Sequence, residues 1–170
     1  MSQLRETFLT QLQDLYDAEN RLLKALPQMA KAAEHAELKA AFQDHVQQTK
    51  THIKRLETIF KNLEARPQGK RCQAMQGLIE EGNELIKEKM GDAALICAAQ
   101  KIEHYEIATY GSLHVWARLL EQERAKSLLE ETLAEEKITD GKLTWLAEMG
   151  INFEESLAEE ERKKEMAGAR

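Results

Sequence analysis

A chain of 170 residues, 42 % hydrophobic and 32 % charged, is long enough for one domain with its own core. Its net charge of −6 supplies no basic stripe for phosphates or anionic headgroups, so neither nucleic acid nor a membrane surface is an expected partner. With 2 Pro and 8 Gly against abundant Ala, Leu, Glu, Lys and Gln, the composition specifies an all-α protein.

The first predicted helix runs from about Gln3 to Glu34, with Leu4, Phe8, Leu12, Leu15, Leu22, Leu26 and Met29 on one stripe. Pro27 is expected to kink or interrupt it near Lys24. The second runs from about Leu38 to Glu64, with Phe42, Val46, Thr49, Ile53, Leu56 and Phe60 inward. Arg66-Pro67-Gln68-Gly69 is the clearest break. A shorter helix follows from about Cys72 to Lys89, and Gly91-Asp92 is read as the cap of the next. That helix extends to Leu120, and a last one runs from Glu123 to Glu148, ended by Gly150. Residues 1–150 are therefore read as a helical bundle, and 151–170 as a charged tail, frayed or partly disordered.

The four long helices form two antiparallel hairpins, and the short helix, spanning about 27 Å at 1.5 Å per residue, can cross the length of a bundle between them. This makes the second and third long helices parallel, the ferritin-like topology. A plain up-and-down bundle with a fifth helix outside is the competing arrangement. No apolar run approaches the roughly 20 residues of a membrane span. Arg5 and Glu6 already lie in a helical pattern, so no signal peptide is expected and the location is read as cytoplasmic. Cys72 and Cys97 lack CxxC spacing and are read as reduced structural thiols.

Three glutamates fall inside apolar stripes. Glu19 lies between Leu15 and Leu22, Glu106 between Ile102 and Leu113, and Glu136 between Thr132 and Leu143. Glutamate is rarely buried unless paired or metal-bound, because desolvating its charge costs several kcal/mol. Thr49 sits centrally on the second helix, with His45 and His52 on one flank; Glu103 and Asp140 flank the stripes of the last two long helices. Folding each hairpin back on itself brings Glu19 level with His52, Glu106 with Glu136, and Glu103 with Asp140. The expected metal ligands are Glu19, His52, Glu103, Glu106, Glu136 and Asp140. In this set Glu106 bridges or chelates, Glu19, His52 and Glu136 are terminal or bridging, and Glu103 and Asp140 complete the shell. One or two divalent cations would neutralise such a cluster, and carboxylate oxygens with an imidazole nitrogen suit iron or manganese, and zinc less clearly. His45 is read as a polar core or interface residue, Gln48 as too far off the stripe, Tyr16, Tyr105 and Tyr110 as core or rim aromatics, and Glu130, Glu131 and Glu135 as solvated charge.

Several stretches resemble the YciE/YciF-like family of bacterial stress-associated proteins, in the ferritin-like superfamily, over about residues 4 to 148. They are Leu15-Tyr16-Asp17-Ala18-Glu19, the run from His45 to Leu56, Met75-Gln76-Gly77-Leu78-Ile79-Glu80-Glu81, Ala98 through Ala108 with Glu103-His104-Tyr105-Glu106, and Thr132 through Asp140. The resemblance implies a ferritin-like bundle with an additional crossover helix, a homodimer and a di-metal site, and assigns no reaction. The wider rubrerythrin-like pattern has Glu on the first helix, ExxH on the second, ExxE on the third and ExxH on the fourth. Here Glu19 and Glu103-xx-Glu106 match it. Thr49-xx-His52 lacks the Glu, and Glu136-xx-Thr139 lacks the His, with Asp140 next.

Two functions fit this pattern best, with an iron-storage shell as a third option. One is a di-iron or di-manganese stress protein reacting with peroxide or oxygen, slowly because Thr49 removes a bridging group. The other is a non-enzymatic dimeric assembly protein with a weak metal site. Ile79, Ile86 and Met90, outside the four-helix stripes, are expected to need a partner surface.

Overall fold

The structure is a computed structural model, and it describes residues 2–67, 70–152, 157–158, 160 and 162–164. Five α-helices account for it: α1 (Gln3–Ala32), α2 (Ala36–Asn62), α3 (Gln73–Glu88), α4 (Gly91–Leu119) and α5 (Glu123–Leu146), followed by a π-helical turn, Ala147–Ile151. The long helices α1, α2, α4 and α5 form the bundle. In it, α1 packs on α2 and α4, and α5 packs on α2 and α4. The crossover α3 lies against α1 and α4 and carries the chain back along the bundle, so α2 and α4 are parallel. The topology is therefore ferritin-like rather than simple up-and-down. Among the described residues, no helix is long and apolar enough to cross a membrane.

The apolar stripe of α1 buries Phe8, Leu12, Leu15, Leu22, Leu26 and Met29. The helix runs through Pro27 without interruption. Proline costs one backbone hydrogen bond there, roughly 3 kcal/mol. Large side chains buried on both sides of it, each contributing about 1.5–3 kcal/mol, outweigh that cost. The α5 stripe continues past the predicted boundary, since Leu146 and Ile151 are both buried in the core. Most of the predicted tail lies outside the described residues; those described beyond 152 are helical and exposed.

Gly91, at φ 85°, turns the chain between α3 and α4 and occupies a region that favours glycine. Asp92 does not cap its own helix. Its carboxylate accepts hydrogen bonds from the backbone N–H of Glu34 (3.0 Å) and His35 (2.7 Å), tying the start of α4 to the α1–α2 turn. Near the middle of α1 and α4, Cys72 is buried at the start of α3. Its Sγ accepts from the Met75 N–H, its own N–H donates to Asp17, and its thiol meets the Tyr105 hydroxyl at 3.0 Å. Tyr105 in turn donates to Asp14, at 2.8 Å. These two polar clamps tie α4 to α1 at one end and near the middle of both helices. Cys72 and Cys97 are both free thiols, and Cys97 is exposed.

The unpartnered apolar surface is not where the sequence pattern puts it. Ile79 and Ile86 pack partly against the core, and of that trio only Met90 is well exposed. The largest exposed apolar side chains are instead on α4 and α5 and the turn beyond: Leu119, Ile138, Trp145 and Met149. The helical wheel of α3 reveals an apolar side but not that α1 and α4 already cover it.

Asp92→Ala removes two charge-assisted hydrogen bonds and leaves two backbone donors unmet. It should destabilise the fold by ~2–4 kcal/mol, read from urea denaturation, with Asp92→Asn losing about half as much because one acceptor oxygen remains. Equal stability of wild type and Asp92→Ala would show that the clamp does not hold the α1–α2 turn.

Candidate metal centre

At mid-height the core becomes polar. Glu19 from α1, His45, Thr49 and His52 from α2, Glu103 and Glu106 from α4, and Glu136 from α5 are all buried. Each faces inward on its helix, and the register of the packed helices brings them together. Two groups of ligand-type atoms result among the described residues: His45, Glu103, Glu106 and Glu136, and Glu19, His52 and Glu136. Within each group the atoms lie within 4.8 Å of one another, and Glu136 belongs to both.

The contacts between these groups are close without being hydrogen bonds. His52 Nδ1 lies 3.0 Å from Glu136 Oε1 and 3.5 Å from Glu19 Oε1, and His45 Nε2 lies 3.3 Å from Glu103 Oε1. Yet His52 Nδ1, His45 Nε2, both oxygens of Glu106 and of Glu136, and one oxygen each of Glu19 and Glu103 have no hydrogen-bond partner. Thr49 Oγ1 is in the same condition. Buried polar atoms are nearly always paired. A concentration of unpaired lone pairs converging on one space is the arrangement a cation satisfies.

An outer layer orients both imidazoles. Gln48 Oε1 lies 3.2 Å from His45 Nδ1 and accepts a hydrogen bond from it, which leaves Nε2 to face Glu103 and Glu136. Glu135 Oε2 lies 2.8 Å from His52 Nε2, which leaves Nδ1 to face Glu19 and Glu136. Glu135 is itself held by a two-pronged contact with Arg55, at 2.5 and 2.9 Å. The Tyr110 hydroxyl, fully buried, donates to Glu19 Oε1. This pattern, in which the distal ring nitrogen is anchored and the proximal one left free, is the one that fixes histidine ligands for a metal.

Burial pushes the Glu103 and Glu106 carboxyls well above the ordinary carboxylate range, and the neighbouring Glu136 and Glu19 charges push them further. Glu19 is raised less, because burial is opposed by His52 and Tyr110. For His52, burial favours the neutral ring, but Glu136 and Glu19 beside it outweigh burial and push its pKa up to about 11. Arg55, and then His52, hold Glu135 below its usual range despite partial burial. In the absence of a metal the cluster is therefore neutralised by protons, on carboxyls and on His52. The four charges of Glu19, Glu103, Glu106 and Glu136 equal those of two divalent cations.

Of the residues singled out by sequence, Glu19, His52, Glu103, Glu106 and Glu136 are brought together. Asp140 is not: its carboxylate turns to the side, 3.2 Å from Gln100 Nε2 and 3.5 Å from His104 Nε2, and belongs to neither group. His45 takes the place the sequence pattern leaves open, as a member of the cluster and not a bystander. The heptad spacing from His45 to His52 is the signal for it, since residues seven apart share a helix face. Glu135 is not simply solvated, and Tyr110 and Gln48 are hydrogen-bonded to the cluster; no pattern along one helix announces contacts made across helices.

Four long helices, a crossover and inward carboxylate and imidazole side chains define a ferritin-like bundle with a candidate metal-binding core. The chain belongs to the family described as domain of unknown function DUF892, matched over residues 3–156. It is 45 % identical over 158 residues to protein YciF of Escherichia coli strain K12, covering 89 % of this chain and 95 % of that one. The crystal structure of the E. coli stress protein YciF matches with a TM-score of 0.86 at 42 % identity, covering 90 % of this chain and 99 % of that one. YcfI from Rhodopseudomonas palustris matches with a TM-score of 0.81 at 38 % identity, covering 85 % and 94 %. A protein from Xanthomonas campestris pv. campestris shares the fold, with a TM-score of 0.72 at 24 % identity over 95 % of this chain and 99 % of that one.

The protonation pattern fixes a pH dependence. Glu19, Glu103 and Glu106 bind protons more tightly in the folded chain than in the unfolded one, so stability falls as pH rises above the ordinary carboxylate range. His52 acts in the same direction: its contribution is complete below its unfolded value of 6.5 and is lost as pH rises through about 11. The unfolding free energy of chelator-treated protein should therefore decline steadily from about pH 5.5 to about pH 9. With manganese present the slope should flatten or reverse, because the metal competes with those protons. A metal-free profile that rises over this interval would contradict the assignment.

Proposed function

We propose that the core cluster holds two iron or manganese ions and that the chain is a stress-response protein reacting slowly with peroxide or oxygen. The nine unpaired buried polar atoms at one level of the bundle carry this reading. Glu19 and His52 would hold one ion, His45, Glu103 and Glu106 the other, and Glu136 would be shared. Asp140 stays outside this set. Bound metals supply one-electron redox chemistry, and a cage of anionic oxygen favours their higher oxidation states. The chain's own part is to exclude water around the four glutamates, to keep His45 Nε2 and His52 Nδ1 aimed inward through Gln48 and Glu135, and to hold Glu19 in place through Tyr110. The E. coli YciF structure, described as that of a stress protein, supports the cellular role by similarity.

The rival reading is a non-enzymatic assembly protein with a weak site. It is favoured by Thr49, which stands on the central stripe of α2 where a carboxylate would complete the ligand set.

Two measurements separate these readings. Protein purified without chelator should carry about two iron or manganese ions per chain, as carboxylate-rich bundle sites do. Anaerobically loaded ferrous protein should then oxidise on adding peroxide faster than free ferrous ion. Glu106→Leu should abolish metal uptake while making the metal-free fold more stable, because it replaces a desolvated carboxyl by an apolar group of similar volume. No metal under any loading condition would remove the metal reading; uptake with oxidation no faster than free iron would leave binding without turnover.

Ile138, Trp145 and Met149 follow one another at steps of seven and four along α5 and its continuation, and all are at least half exposed. This stripe supports a homodimer, cyclic dimers being the commonest assembly. Light scattering at micromolar concentration should return twice the mass of 19.5 kDa, and Trp145→Glu should shift it to the monomer. A wild-type monomer would dispose of the dimer.

A further inference from the structure

A cavity of about 160 Å³ lies beside the cluster, between α2 and α5, with α1 and α4 behind it. Leu22, Met29, Phe42 and Ile102 form its walls, and its width comes from two small residues, Ala41 and Ala99. Its inner end is closed by His45 and Glu103; its outer end reaches the surface at Ile138 and at the Lys142–Asp44 ion pair (3.4 Å). The other polar groups along it are already engaged, Gln48 with His45 and Thr139 with both Gln48 and the Glu135 carbonyl. The walls therefore offer a ligand apolar contact and shape, and the free polar atoms, His45 Nε2 and one oxygen of Glu103, are confined to the inner end. Apolar cavities of about 150 Å³ stay dry and admit a benzene ring. An anion would lose its hydration between these apolar walls, and the Lys142 charge at the mouth is already paired with Asp44.

We infer that this cavity is a binding site for a small neutral apolar organic molecule, of the size of one six-membered ring, seated against the His45–Glu103 side of the core. The inference goes beyond metal binding, because it rests on the walls of the cavity alone. It assigns the cluster a neighbouring ligand chosen by size and neutrality, in addition to any oxidant.

Toluene is a suitable probe, with benzoate as the anionic counterpart of the same size. Titrating the full chain with toluene should shift the methyl resonances of Met29 and Leu143 saturably, while benzoate leaves them in place. Ala41→Phe fills the cavity and should weaken toluene binding at least about tenfold, as should the gentler Ala99→Leu if the larger side chain prevents folding. Absence of a saturable shift in the wild-type chain would overturn the inference. So would undiminished binding in a folded filled variant, or benzoate binding as tightly as toluene. Manganese uptake measured on the same samples keeps the two readings apart. Toluene binding without metal uptake supports the cavity and removes the metal centre; metal uptake without toluene binding does the reverse.

Discussion

Placing Glu19, Glu103, Glu106 and Glu136 at one level of a helical core is the constraint around which the rest of the structure is organised. Each carboxylate loses several kcal/mol of hydration there, and mutual repulsion adds to the loss. Protons or cations must restore neutrality. The metal-free chain does so with raised carboxyl pKa values and a cationic His52. Such a solution still leaves both oxygens of Glu106 without a hydrogen-bond partner. A core that holds desolvated acids against their mutual repulsion is a core shaped for something other than stability.

The layers outside the cluster keep its geometry. Arg55 fixes Glu135, Glu135 fixes His52, Gln48 fixes His45, and Tyr110 fixes Glu19. These contacts join α2 to α5 and α1 to α4, so the side chains that orient the cluster also hold neighbouring helices in register. Two further clamps, Asp92 on the α1–α2 turn and Cys72–Tyr105–Asp14 near the middle of α1 and α4, set the same registers from outside. A shift of one helical turn, about 5.4 Å, would separate Glu19 from His52 and dissolve both ligand groups.

Function and surface meet on α5. Glu136 faces inward, Glu135 contacts α2, Ile138 lies at the cavity mouth, and Trp145 and Met149 extend the exposed stripe. One helix thus contributes to the cluster, to its outer layer, to the cavity and to the face proposed for dimerisation. Association through that face would alter access to the cavity, which couples assembly to what can reach His45 and Glu103.

Helical periodicity was enough to reveal the bundle, its crossover and the most telling acids, because burial of a helix follows a 3.6-residue repeat and Glu19, Glu106 and Glu136 interrupt apolar stripes that would otherwise be continuous. Hairpin arithmetic added His52, since antiparallel helices equate depth with distance from the turn. Neither pattern could choose between residues on the two flanks of a stripe. Tertiary packing turned His45 inward and Asp140 toward Gln100, because the direction of a flanking side chain depends on the helix beside it. The same limit concealed Glu135, bonded across the interface to Arg55 and His52, and the cavity, which exists only because Ala41 and Ala99 line the same space from different helices. Proline propensity predicted a kink or an interruption near Pro27, and burial on both sides kept the helix uninterrupted. What the sequence determined by itself was the inward face of each helix, a property of local repeat; which side chains meet at a site was decided by the helices' mutual register and rotation, which only the assembled core can set.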